Sequence, residues 1–245
     1  MPVRLSRKAP PRPFVTANFA ITADGRISTR NFSPSDFSSP RDKRRLLEIR
    51  AACDAVLVGA RTLAADAMTL GISAGDLRAA RKKRGRPGLP VRVVVSNTGR
   101  LNPALRIFRE PGAPIVIFST VRMPPRARRA LAQKAEIFLH DSPAVDLGKA
   151  LATLRRVHGV RRLVCEGGGT LFRSMAASGL VDELHLTFCP HIFGGRGAPT
   201  LTGLVSRFFP KSIRLRLAEM LVAGDECFTR WKVLRGHARL ATTGG

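Results

Sequence analysis

Apolar residues in this chain gather in short dense runs: A-V-L-V at Ala55–Val58, V-R-V-V-V at Val91–Val95, I-V-I-F at Ile115–Phe118 and L-V-C at Leu163–Cys165. Runs of three to five, rich in β-branched residues and bounded by turn formers, predict buried strands of a parallel sheet. Between them the period lengthens. Ser39, Pro40 and Asp42 supply an N-cap, a first-turn proline and a first-turn acid for a helix that continues through Leu46, Leu47, Ile49 and Arg50 to about Cys53. Gly59-Ala60-Arg61-Thr62 turns the next strand into a second short helix ending near Asp66, Arg126–Lys134 reads as a basic helix, and Val145–Val157 as a longer amphipathic one. Thr170–Ala177 follows with Gly179 as its C-cap. Phe14–Ile21 predicts a strand ended by the Ala23-Asp24-Gly25 turn, and Ala135–Leu139 another. Gly71–Pro90 has little apolar period and many cations, and reads as a mobile surface connection with room for one helical stretch.

The end of the chain changes character. Glu183–Cys189, Ser212–Leu221 and Glu226–Leu234 are strand candidates, and the last two have no helix between them. The predicted class is therefore α/β, with a mixed, mainly parallel sheet flanked by helices in three layers and a C-terminal antiparallel ribbon. One domain over residues 13–235 is expected, after a basic Pro-rich extension at 1–12 and before a flexible tail at 236–245.

Composition adds a constraint. The 245 residues are 44% hydrophobic, enough for a full core, yet carry 42 Lys+Arg against 17 Asp+Glu, a formal charge of +25. Such a surface concentrates anionic ligands around it. The cations are scattered, with crowding at Arg78–Arg86 and Arg126–Arg129, and no zinc-finger, RNP or heptad-linked basic pattern organises them, so nucleic acid is not the expected partner. The four cysteines, Cys53, Cys165, Cys189 and Cys227, lie far apart in mostly apolar surroundings and read as buried thiols of a reducing cytoplasm. No metal site is expected, because the five histidines share no ligand spacing; His191 is the one to inspect. No apolar run approaches a membrane span.

The sharpest local pattern is L-V-C-E-G-G-G-T-L-F at Leu163–Phe172: strand, carboxylate, three glycines, helix start. That order brings bare backbone N–H groups and a helix amino end up to an anion such as a pyrophosphate, while a plain tight turn is the alternative. It is not the G-x-G-x-x-G spacing of a classical dinucleotide fold.

Several segments together resemble the reductase domain of riboflavin biosynthesis, the C-terminal half of the bifunctional deaminase/reductase, whose fold is similar to dihydrofolate reductase. They are N-F-A-I-T-A-D-G-R-I-S (Asn18–Ser28), S-P-R-D-K-R-R-L-L-E-I-R-A (Ser39–Ala51), D-A-V-L-V-G-A-R-T-L-A-A-D (Asp54–Asp66), V-R-V-V-V-S-N-T-G-R (Val91–Arg100), and E-G-G-G-T-L-F through G-L-V-D-E-L (Glu166–Leu184). They occur in the family's order from about Arg12 to Leu234.

The resemblance implies NADPH-dependent reduction of a phosphoribosylamino-pyrimidine, ribosyl to ribityl, by a cytoplasmic homodimer whose partner is a phosphorylated small molecule. It implies that Gly167, Gly168, Gly169, Thr170 and Leu171 cradle the pyrophosphate, that Gly59 and Thr62 lie under the cofactor, and that Ala20 lies beside the nicotinamide. Arg61 would pair with the 2′-phosphate, or stand as a solvated cation; Asn97 and Arg100 are second candidates at the adenosine end. Asp66 is implied as the acid of the chemistry and a cofactor contact, against the alternative of an ordinary helix-end carboxylate. Glu166 would hold ribose hydroxyls and share in proton transfer, Arg50 would bind substrate, and Asp24 would cap a loop. Glu183–Cys189 and Glu226–Leu234 would offer the dimer interface.

Two stretches depart from the family pattern. Where members carry D-D-P-x-L-T-V-R, Asp66 is followed by Ala67, Met68, Thr69, Leu70 and Gly71, removing an arginine expected for the substrate phosphate. Where many carry a cofactor-contacting tryptophan, the chain reads Pro34, Ser35, Asp36 and Phe37. The deaminase signature H-x-E with P-C-x-x-C is absent. A similar reductase acting on another pteridine or pyrimidine therefore stays open, as does a basic nucleic-acid-associated protein that retains the fold.

Overall fold

A computed structural model describes residues 12–28, 37–204 and 208–234. The expected N-terminal extension up to residue 11, the flexible tail, and Pro34–Asp36 of the second departure lie outside the described residues. The elements in chain order are β1 (Phe14–Thr22), α1 (Pro40–Ala52), β2 (Ala55–Gly59), α2 (Ala60–Ala65), α3 (Gly75–Lys83), β3 (Val91–Ser96), α4 (Arg106–Arg109) and β4 (Ile115–Thr120). There follow α5 (Pro125–Ala132), β5 (Glu136–His140), α6 (Leu147–Val157), β6 (Arg162–Cys165), α7 (Gly169–Ala177), β7 (Glu183–Cys189), β8 (Leu215–Ala223) and β9 (Glu226–Val233). The chain divides into two compact units, Met1–Val15 with Arg44–Cys165, and Thr16–Lys43 with Glu166–Gly245.

In the first unit the strands run in the order β5-β4-β3-β2-β6, every pairing parallel. The dense apolar runs are the reason: neighbours that point to opposite faces, Val56 with Leu57, Val93 with Val94 and Val116 with Ile117, are all buried, so both faces of these strands are covered. One core cluster joins Val56, Val58, Val94, Ile117 and Val164 to Leu63 of α2, Leu70 beyond it and Leu131 of α5. The 71–90 connection contains α3, which is more than surface, because Arg81 in it is buried.

In the second unit the order is β1-β7-β9-β8. β1 pairs with β7 in parallel, with Phe19 opposite Leu186, whereas β9 pairs antiparallel with both β7 and β8. The predicted terminal ribbon is thus β8–β9, joined at Gly224 in the left-handed region with φ 59°. α7 covers this unit through Phe172, whose ring meets Phe19 edge-on at 5.2 Å. Glu226 at the start of β9 accepts from Ser39 N at 2.8 Å and Ser39 Oγ at 2.5 Å, while Ser39 Oγ also accepts from Asp42 N, so the predicted N-cap of α1 is anchored as well as capped. Among the described residues, no helix is long and apolar enough to cross a membrane.

Candidate functional site

In the first unit Gly59 and Asn97 lie at the carboxyl ends of the parallel strands β2 and β3, Asp66 at the end of α2, and Arg50 in the last turn of α1. β2 ends at Gly59, and α2 starts at once with no capping side chain and no acid in its first turn, which leaves its amino end suited to an anion. Arg61 in that turn is exposed and Thr62 half-buried. Asp66 closes the helix, its N–H donating to Thr62 O at 3.0 Å. Its carboxyl is partly buried, and that burial raises its pKa above the ordinary aspartate value. A group so placed keeps a proton to higher pH than an exposed carboxylate.

The turn after Asp66 is unusual. Ala67 and Leu70 are both left-handed, with φ 45° and 58°, a conformation that costs non-glycine residues about 1–3 kcal/mol each. Two contacts hold it: Leu70 is fully buried, and Arg50 Nη1 donates to Gly71 O at 2.7 Å. Arg50 is itself buried, at 8% exposure, in the last turn of α1. The helix end behind it is gripped by Arg81, which donates to the carbonyls of Arg50, Ala51 and Cys53. Nothing in the sequence reading singled out Arg81. Its signal was modest: four residues after Leu77, it sits on the inward face of α3.

Asn97 follows β3, with its side-chain oxygen accepting from Val145 N at 3.0 Å and its carbonyl from Thr120 Oγ1 at 2.6 Å. It therefore organises the loops at this end of the sheet. Arg100 is exposed nearby in sequence.

In the second unit Glu166 is buried directly before the glycines. Gly167 has φ 105°, and a Cβ there would stand 2.9 Å from Cε1 of Phe19. A Cβ on Gly169 would stand 2.6 Å from Gly203 Cα and 2.9 Å from Thr200 O. These glycines are required by the protein's own packing, independently of any ligand. Gly168 caps α7 without a side-chain bond, and the first turn, with exposed Thr170 and buried Leu171, holds no acid. The amino end of α7 accordingly has the polarity to receive a phosphate.

The turns that follow β1 and β7 bond to one another in this unit. Asp24 accepts from Thr22 Oγ1 at 2.5 Å and from the N–H groups of Phe193 at 3.2 Å and Gly194 at 2.8 Å, contacts that pull its pKa down to about 2, the Thr22 hydroxyl foremost. The expected capping role of Asp24 is thus visible in its contacts. Ala20 is half-buried near the end of β1. His191 lies edge-on to Phe37 at 6.2 Å, and His185 Nε2 meets Glu183 Oε1 at 2.7 Å.

Helix starts without side-chain caps and a half-buried carboxyl with a raised pKa are the chemistry-bearing features of this α/β protein. The chain belongs to the RibD C-terminal domain family, whose model matches residues 13–228. It is 37% identical over 224 residues to the 2,5-diamino-6-ribosylamino-4(3H)-pyrimidinone 5′-phosphate reductase of Methanothermobacter thermautotrophicus, covering 91% of this chain and 99% of that protein. It is 35% identical to the protein of the same name from Archaeoglobus fulgidus, covering 87% and 95%. Its fold matches a pyrimidine reductase-like protein from Corynebacterium diphtheriae with a TM-score of 0.77 at 21% identity, covering 91% of this chain and 93% of the other. The α/β, mainly parallel fold predicted from the pattern of strands and helices agrees with this family.

Proposed function

We propose that this protein reduces a phosphoribosylamino-pyrimidine with NADPH, converting its ribosyl unit to ribityl in riboflavin biosynthesis. The observation that carries this reading is the 37% identity, over nearly the whole of both chains, to a relative named for that reductase activity. A bound dihydronicotinamide supplies the hydride that the sugar's first carbon accepts. The chain's own residues do the rest. Backbone donors from Gly167 to Leu171 hold the pyrophosphate, Arg61 takes the 2′-phosphate that distinguishes NADPH from NADH, and Gly59, Thr62 and Asn97 line the adenosine end. Ala20 leaves space beside the nicotinamide.

Asp66, with its pKa raised by burial, is the proton source for the departing ring oxygen and also touches the cofactor. Glu166 accepts from the ribose hydroxyls and Arg50 meets the substrate phosphate. Titrating NADPH and NADH against Trp231 fluorescence and melting temperature tests the cofactor assignment: NADPH should stabilise the protein at micromolar levels, and an equal response to NADH removes Arg61 from its role.

The reading also takes residues 13–235 as one cytoplasmic reductase domain that works as a homodimer. β7 has β1 on one edge and β9 on the other, so the strand offered to a second copy is β8, which leaves Leu217, Met220 and Val222 exposed. Light scattering of a Met220→Glu variant should report a monomer; an unchanged mass withdraws β8.

A further inference from the structure

The cations that the sequence scatters between Asn97 and Ala135 are gathered by the fold. Strands β3, β4 and β5 are parallel neighbours in chain order, so α4 and α5, which cross over between them, lie on one face of the first unit. They touch: Ile107 and Phe108 of α4 share a core cluster with Leu131 of α5, and Lys134 Nζ donates to Pro103 O at 3.4 Å. The outer side of this layer presents Arg109, Arg126, Arg128, Arg129 and Lys134, all exposed. Glu110 is the sole acid between Asn97 and Ala135, and Arg106 takes it at 2.7 Å. Elsewhere Arg44 meets Glu48 and Asp76, and Arg230 meets Glu219 and Glu183, whereas Arg109, Arg126, Arg128 and Arg129 meet no acid among the described residues. Arg126 and Arg129 stand three apart on one helix, where like charges repel. The fold gains nothing from this single-sign surface, and a bound polyanion would reverse the sign of its electrostatics.

We infer that the α4–α5 layer binds the phosphodiester backbone of a nucleic-acid duplex without reading its sequence. Guanidinium forks match phosphate oxygens. The other polyanionic partners fit less well. Residues 97–135 contain no tyrosine or tryptophan, and their phenylalanines, Phe108 and Phe118, are buried. The layer therefore offers no aromatic anchor for a protein interface and no platform on which unpaired bases stack. Between its arginines α5 exposes alanine and proline, side chains too short to anchor in a bilayer. What is left is contact with a charged backbone, which needs only cations at the surface.

The test separates this layer from the net charge of the whole chain. Fluorescence anisotropy of a labelled random-sequence DNA duplex, about 20 base pairs long, is followed over a salt series starting near about 50 mM. The parent protein is compared with a triple variant, Arg126→Gln, Arg128→Gln and Arg129→Gln, and with a control of equal charge loss on the exposed end of α3, Lys82→Gln, Lys83→Gln and Arg84→Gln. The α5 triple should weaken duplex binding more than about tenfold and flatten the slope of log K against log salt by roughly 2 to 3, while the control moves the affinity less than about threefold. Equal losses in both triples overturn the inference and leave a diffuse effect of net charge. Tighter binding by the parent to a single strand of equal phosphate count, or binding to phosphatidylserine vesicles without binding to the duplex, overturns it as well, as does the absence of duplex binding at the lowest salt. If the α5 triple does not fold, Arg109→Gln with Lys134→Gln should weaken duplex binding about threefold, and unchanged affinity in that variant has the same force.

Discussion

Two turns at strand or helix ends carry the candidate chemistry, and they reach tight geometry by opposite means. The turn before α7 is written in glycine. Gly167 sits at φ 105° under the Phe19 ring, and Gly169 leaves room for the backbone of Gly203. The turn after α2 places ordinary residues in the left-handed region, Ala67 at φ 45° and Leu70 at φ 58°. There the conformation is imposed from outside, by the buried Leu70 side chain and by Arg50 on the Gly71 carbonyl. Composition can satisfy a close approach cheaply, whereas a left-handed alanine or leucine persists only where packing over-determines it. The first turn is accordingly fixed by glycine and close packing, and the second is a left-handed segment beside a half-buried acid.

Substitutions can separate these two descriptions. The largest effect should come from Asp66→Asn, which keeps the shape of the second turn and removes its proton: kcat should fall by a factor on the order of 100 to 10,000 while the cofactor dissociation constant moves less than about threefold. Unchanged turnover would take Asp66 out of the mechanism. Next comes Gly169→Val, which places a branched side chain against Gly203 and Thr200 O; it should destabilise the protein by roughly 1–3 kcal/mol in urea unfolding and weaken NADPH binding more than about tenfold. Full cofactor affinity in that variant would mean that the turn has no part in holding it.

A smaller effect concerns pH. Because burial raises the Asp66 pKa, the folded state binds this proton more tightly than the unfolded chain does. Stability from this group is therefore fully present below the ordinary value of 3.8 and declines as pH rises through the raised folded value. Urea unfolding measured across that window should show the decline in the parent protein and a flatter profile in Asp66→Asn; identical profiles would contradict the assignment. The smallest change should follow Ala67→Gly, where relief of the left-handed penalty nearly cancels the added chain entropy, so that stability moves by less than about 1 kcal/mol. A loss well beyond that would show that the alanine methyl is held by packing and is not strained.

The fold was legible because its signals are local. β-branched runs marked β2, β3 and β4, and Ser39-Pro40-Asp42 marked the start of α1 to the residue. The short α4 was missed, since Arg106–Arg109 is a single turn buried through Ile107 and Phe108, too brief for any period to register. At the site, the glycine string was visible but its reason was incomplete: Gly169 faces Gly203, a partner 34 positions away that no local pattern connects to it. Arg81 was invisible for the same kind of reason. It lies in a basic stretch that reads as solvated surface, and only the fold turns its side chain onto the end of α1.

The central claim is the choice of substrate, and a parallel assay tests it most directly. Purified protein with NADPH is offered the ribosylaminopyrimidinone 5′-phosphate in one cuvette and dihydrofolate in the other, and oxidation of the cofactor is followed in both. Oxidation with the pyrimidine and none with the folate is the predicted result. Oxidation with dihydrofolate alone would contradict it.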